Sequence, residues 1–187
     1  MRVLVAYASK YGATQGIAER IGEVLRARGH DVDVVRCKDL VDATGFDATG
    51  FDATGFDAYV VGSAAYMFRW RKDARKFVRR NVDVLATRPV WLFSSGPVGT
   101  DRVDAKGNDV LAGAMPKEFA EFETAISPRG TQVFFGAFQL EKLRGVDRMA
   151  RWAPAAAMPV GDFRDWDAIE AWAGRIADDL DQPPSRD

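Results

Sequence analysis

The sequence predicts an α/β chain: an open, doubly wound sheet of five parallel strands with helices on both faces. Three observations predict it. Short apolar runs alternate along the chain with segments of helical periodicity. The apolar runs are mostly continuous, as in strands covered on both faces. Three of them end in small or polar residues, "ASKYGAT", "GSAAY" and "SSGPVG". Such a sheet would gather those ends on one rim, at the switch point where ligands bind.

The elements follow in order. Residues 2–8, "RVLVAYA", read as the first strand, bounded by polar turn residues. Ile17, Ile21, Val24 and Leu25 then fall at helical spacing, and Gly29 is a stop signal. Residues 31–35 alternate as a second strand, with Cys37 at its end. Residues 58–63, "AYVVGS", form a third, and Ala74, Phe77, Val78, Val82 and Leu85 mark the next helix. Residues 89–96 are the fourth strand. Residues 116–126 are a helix with Pro116 in a first-turn position and Phe119, Phe122 and Ile126 on one side. Residues 131–137 are the fifth strand. Trp166, Ile169, Trp172, Ala173, Ile176 and Leu180 build a closing helix that Asp165 or Asp167 can cap. Residues 1–181 are expected to form a single domain and 182–187 a frayed tail.

Composition excludes several classes. The 187 residues carry 26 basic and 27 acidic side chains, which nearly cancel. A dedicated nucleic-acid binder would carry a large basic excess. The lone cysteine, Cys37, permits no internal disulfide, so a reducing, cytoplasmic setting is expected. The N-terminus lacks a signal-peptide pattern, and no apolar run approaches the ~18 residues of a membrane span. With one histidine and one cysteine, neither a His/Cys metal cluster nor a Ser-His or Cys-His pair is expected. His30 lies in a helix-to-strand turn away from the rim, and Cys37 reads as inert. Chemistry here would be carried by a cofactor, with no side chain an obvious acid or base.

One stretch breaks the rhythm. Asp-Ala-Thr-Gly-Phe repeats three times over residues 42–56. Five residues turn about 500° on a helix, and an odd period alternates faces on a strand, so neither element fits. It reads as an expanded connector, a cheap insertion, with Phe46 and Phe51 as the residues to touch a partner if it has one.

The turn Ser9-Lys10-Tyr11-Gly12-Ala13-Thr14 carries most of the functional content. A glycine-containing turn that feeds a helix N-terminus is an anion site, because free N–H groups converge there and the dipole favours negative charge. Ser9 and Thr14 add hydroxyls, and Thr14 could also cap the helix. Neither Gly-x-x-x-x-Gly-Lys-Ser/Thr nor Gly-x-Gly-x-x-Gly is present, so the turn is not built for a nucleoside triphosphate or NAD. The third-strand end offers Ser63, Ala64, Ala65, Tyr66 and Met67, with Trp70 nearby. The fourth offers Ser95, Gly96, Pro97, Val98 and Gly99. Together these suit a flat aromatic ring on a phosphorylated tail.

On these residues the sequence resembles the flavodoxin-like family, whose phosphate loop has the form Ser/Thr-x-Thr-Gly-x-Thr. Ser9, Gly12 and Thr14 match it, and Tyr11 replaces the middle threonine. "YASKYGAT", "VVGSAAY", "FSSGPVG" and "GDFRDW" look most like the branch with the menaquinone-dependent protoporphyrinogen oxidases. The resemblance covers nearly the whole chain apart from the repeat. It implies strand order 2-1-3-4-5 and FMN as cofactor. Residues 9–14 would hold the phosphate, 64–67 would line one side of the isoalloxazine, with Tyr66 stacked on it, and 95–99 the other. Phe68 departs from an expected glycine, and would crowd the flavin edge or act as a lid. The implied activity is oxidation of a protoporphyrinogen-like organic substrate with a quinone as electron acceptor. An electron-transfer flavodoxin and an FMN-free interaction module are the alternatives.

Residues 69–80, "RWRKDARKFVRR", hold seven basic residues and one acid. They read as the outer face of a helix that is either simply solvated or docks on an anionic partner or a membrane surface rich in anionic lipid. An electron shuttle usually shows its reductases an acidic face, so this basic one favours an enzyme. Residues 138–159, with Leu140, Leu143, Met149 and Trp152, read as a lid, an oligomer contact or a cover for the sheet.

Overall fold

The computed structural model describes residues 1–41, 54–142 and 159–182. The chain runs β1 (Arg2–Ala8), α1 (Ala13–Ala27), β2 (Asp31–Arg36), α2 (Cys37–Val41), β3 (Ala58–Tyr66), β4 (Arg69–Trp70), α3 (Lys72–Arg80) and α4 (Val82–Leu85). It continues with β5 (Val90–Ser95), α5 (Val110–Gly113), α6 (Glu118–Ile126), β6 (Gly130–Phe134), β7 (Ala137–Phe138), a 3₁₀ turn, β8 (Gly161–Asp162) and α7 (Trp166–Asp181). The parallel sheet has the order β2-β1-β3-β5-β6, which is 2-1-3-4-5 when only the long strands are numbered. The order reverses at β1 and β3, so the switch point lies at their carboxyl ends.

The strands are apolar on both faces because both faces are covered. Val3, Val5 and Tyr7 of β1 join Ile17, Ile21 and Leu25 of α1 and Trp172 and Ile176 of α7 in one core. Leu4, Ala6 and Ala8 face the other way, into a core with Phe77 of α3 and Phe119 and Phe122 of α6. This is the two-residue period of a strand read out on both sides. Gly62 in β3 is a packing requirement, since any Cβ there would overlap the Phe93 ring. Phe56, the last phenylalanine of the repeat, is buried and meets Tyr59 edge-on. Residues 42–53 of the repeat, Phe46 and Phe51 included, lie outside the described residues. So do Leu143, Met149, Trp152 and residues 183–187.

Several element bounds differ from the sequence expectation. The third strand does not stop at Ser63; it runs to Tyr66 and returns as β4, pairing Ala65 with Trp70 and Tyr66 with Arg69. Arg69 and Trp70 therefore belong to a hairpin and not to the basic helix. That helix also ends at Arg80, where Asn81 turns its side-chain amide back onto the Phe77 carbonyl (2.8 Å). Pro116 precedes α6, its carbonyl accepting from the Phe119 N–H. The fifth strand ends at Phe134, and Ala137 pairs instead with Asp162 in a separate two-stranded ribbon. Cys37 opens α2, fully buried, and burial pushes its thiol pKa far up, so it carries no thiolate.

Candidate functional site

The sequence Ser9–Thr14 folds as a strand-to-helix turn because Gly12 takes φ 90°, a left-handed conformation that side chains resist. The Gly12 N–H donates to Ser9 Oγ (3.0 Å), which closes the turn on itself. The first N–H groups of α1 have no intrahelical acceptor. Gly12, at the N-cap position, offers no side chain to cap them, and no acidic residue stands in the first turn. Thr14 is not the cap expected of it. It lies inside the helix, fully buried, and its hydroxyl hydrogen-bonds that of Ser95 (2.8 Å). That bond ties the turn after β1 to the end of β5.

The three rim segments meet around a cavity of about 240 Å³. Ser9, Lys10, Tyr11, Ala13 and Thr14 line one end. Ala64, Ala65, Tyr66 and Met67 form one side, and Ser95, Gly96 and Val98 the other. Ala137 and Phe138 complete it. Sequence reasoning missed these last two, having placed Ala137 in a buried strand; the ribbon with β8 swings them to the rim. Four expected residues do not line this cavity. Gly12 shapes the turn beneath it. Ser63 is fully buried, its hydroxyl donating to the Ala64 carbonyl and accepting from the Arg71 N–H. Pro97 lines a neighbouring cleft. Gly99 lies outside both, where an added Cβ would come within 4.0 Å of Pro159.

The β3–β4 hairpin turns on Met67 and Phe68, with φ of 50° and 61°. Two left-handed residues are what a two-residue hairpin turn demands, and Asn-Gly is its usual sequence. The glycine expected at Phe68 thus corresponds to a real backbone requirement. Phe68 points away from the cavity and lines the neighbouring cleft instead. Helix α6 holds the turn in place. The Lys117 N–H donates to the Phe68 carbonyl (3.0 Å), and the Trp70 N–H to Glu118 Oε2 (3.1 Å). Glu118 is buried, its Oε1 lying 3.5 Å from Arg69 Nε and 3.5 Å from Arg75 Nη1. Trp70 packs edge-on against Phe119 (5.4 Å) and is core, not site. Tyr66 stays half-exposed at the rim.

The "GDFRDW" segment is a brace. Asp162 pairs with Arg164, whose guanidinium lies over the Trp166 ring (4.4 Å) and reaches the Ala13 carbonyl (3.4 Å). Asp165 caps α7 by accepting from the Ala168 N–H (3.0 Å). His30 is buried at the opposite end of the sheet, 3.6 Å from Asp181. Lys72, Arg75, Lys76, Arg79 and Arg80 line a shallow basic depression of about 330 Å³, where Arg79 is bound twice by Glu121 (2.8 Å each). Among the described residues no group of three or more His, Cys, Asp or Glu could hold a metal ion, and no helix is long and apolar enough to cross a membrane.

A helix N-terminus opposed by a hairpin and a glycine loop, at the switch point of a doubly wound sheet, makes up the rim cavity of this α/β protein. Residues 4–156 match the flavodoxin-domain family, and the chain belongs to that family. No match was found among curated proteins. An archaeal flavodoxin superposes with a TM-score of 0.57 at 17% identity, covering 97% of this chain and 100% of that one. A mutant flavodoxin from Pseudomonas aeruginosa gives 0.59 at 14%, covering 97% and 100%. Rubredoxin oxygen:oxidoreductase from Desulfovibrio gigas gives 0.60 at 15%, covering 96% of this chain but 36% of that one. These likenesses establish the α/β flavodoxin-like fold. The family is one of redox flavoproteins, and FMN is its cofactor.

Proposed function

We propose that this chain binds FMN at the rim cradle and acts as an oxidoreductase, passing electrons between an organic substrate and a quinone. The observation that carries the reading is the Ser9–Thr14 turn. Its uncapped N–H groups suit a phosphate, and a hydroxyl pair ties it to the loop at Ser95. Bound there, FMN would supply the redox chemistry. The chain's own part is binding and electrostatics. The α1 N–H groups hold the phosphate charge, Tyr66 and Met67 cover one face of the ring, and N–H groups of the rim loops stabilise charge developing on it. Tyr11 removes one hydroxyl from the family's phosphate loop and leaves the backbone donors intact.

The likeness of "YASKYGAT" and "GDFRDW" to one family branch supports a protoporphyrinogen-like donor with a quinone acceptor. The basic face of α3 supports an anionic partner, either a protein or a membrane surface. The second reading is an electron carrier, favoured by the flavodoxins among the similar structures and by the exposed Met67–Phe68 turn. A spectroelectrochemical titration of FMN-loaded protein separates the two. A single two-electron wave supports the oxidoreductase. Two well-separated one-electron steps would overturn it in favour of the carrier.

A further inference from the structure

A link from a strand to the next helix in such folds takes ~2–6 residues. Here Gly96 to Asp109 separate β5 from the short α5, and α6 begins only at Glu118. The excursion is ordered by its own contacts. Asp104 Oδ1 accepts from the N–H groups of Lys106 (2.8 Å) and Asn108 (2.9 Å), and Asp104 Oδ2 from Asn108 Nδ2 (2.9 Å). Val103 pairs antiparallel with Asp109, and Asp109 caps α5 through the Ala112 N–H (2.9 Å).

This wall closes a cleft of about 890 Å³, within the range of small-molecule sites. Its opposite wall is the Met67–Phe68 turn with Gly96 and Pro97. Ala65, Met67 and Gly96 also line the cradle, so the two cavities share one wall. Met67, Phe68, Val110 and Ala112 make the cleft largely apolar. Among the described residues its charged lining residues are Asp104 and Asp109, with neither lysine nor arginine. Hydrogen bonds from Asn108 and from the Lys106 N–H hold the Asp104 carboxyl below its ordinary range, so it is ionised at neutral pH.

We propose that this cleft is a second small-molecule site, taking a planar, largely apolar molecule without negative charge beside the cofactor ring. The cleft is built by the chain alone; only the neighbour across its wall rests on the FMN reading. Of the two partners implied by the sequence likeness, a neutral quinone suits this lining. A porphyrinogen would bring carboxylate arms against Asp104 and Asp109.

The test is calorimetric titration of the protein, with and without added FMN, using 2-naphthol and naphthalene-2-sulfonate as a neutral and an anionic probe. The expected result is one 2-naphthol site per chain, with the sulfonate weaker by about tenfold, since like charges would meet across the cleft. Ala112→Trp, at an exposed position on α5, fills the cleft and abolishes 2-naphthol binding without changing FMN affinity. Asp109→Asn keeps the cap and narrows the gap between the probes. Equal binding of both probes, or 2-naphthol binding unaffected by Ala112→Trp, overturns the proposal. A protein that refuses FMN yet binds 2-naphthol in an Ala112→Trp-sensitive way upholds the cleft and overturns the FMN reading. FMN binding with no 2-naphthol site does the reverse.

Discussion

At Gly12 a single backbone angle decides the site. A residue with a Cβ has room there, since nothing lies within 4 Å, but not the conformation. Gly12→Ala is expected to cost about 1–2 kcal/mol of stability, the left-handed penalty, and to weaken phosphate binding; urea unfolding and FMN titration measure the two. The Met67–Phe68 turn is the converse case, because two residues that resist φ > 0 already occupy it. Met67→Asn with Phe68→Gly is expected to raise stability by about 1 kcal/mol, read as a higher urea midpoint. A drop in that midpoint would mean the two side chains contribute packing that outweighs the strain. His30 and Asp162 both contribute to the acid limb. Burial lowers the His30 pKa first, assisted by the N-terminal amine and Arg28 and opposed by Asp181. The unfolded state therefore takes up a proton more readily, and stability falls as pH drops below the ordinary imidazole value of ~6.5. The Arg164 hydrogen bonds hold the Asp162 carboxyl below its ordinary range. Its contribution is present above the ordinary carboxyl pKa and is lost as pH falls through the lowered one. Urea midpoints measured against pH should flatten near pH ~6 in His30→Gln and at lower pH in Asp162→Asn.

Among the elements, the β3–β4 hairpin depends on a contact that is distant in sequence. Glu118 accepts from the Trp70 N–H and faces two guanidiniums from inside the core. Removing it leaves that N–H and Arg75 without their buried partner, so Glu118→Ala is expected to cost about 3 kcal/mol. Glu118→Gln, which keeps an acceptor, should cost less, as denaturant melts of the two variants would show. The hairpin also marks where sequence reasoning ran out. β1, α1 and α7 were legible because unbroken apolar runs and 3.6-residue spacing are local signals. The turn at Met67–Phe68 carries neither asparagine nor glycine, so it gave no local sign of reversal; Ala64 to Phe68 read as a loop, and Arg69 and Trp70 as part of the basic helix. The excursion between β5 and α6 was invisible for another reason. It is polar, without periodicity, and held by side-chain bonds around Asp104. The cradle's three walls could be read from the small residues that end β1, β3 and β5. Ala137 and Phe138 could not, because only the pairing of β7 with β8 brings them there.

For the whole molecule, the sheet order places the ends of β1, β3 and β5 side by side, so that the Ser9–Thr14 turn, an aromatic hairpin and a glycine loop meet on one rim. The basic face of α3 lies on a different helix, and Glu121 already neutralises part of it. The central claim is that this rim holds FMN, and a visible-absorption titration of the purified protein with FMN tests it most directly. The account predicts a saturable, one-to-one shift of the flavin bands, weakened in Gly12→Ala. A protein that stays colourless through the titration would contradict it, leaving the Ser9–Thr14 turn as the start of a helix and nothing more.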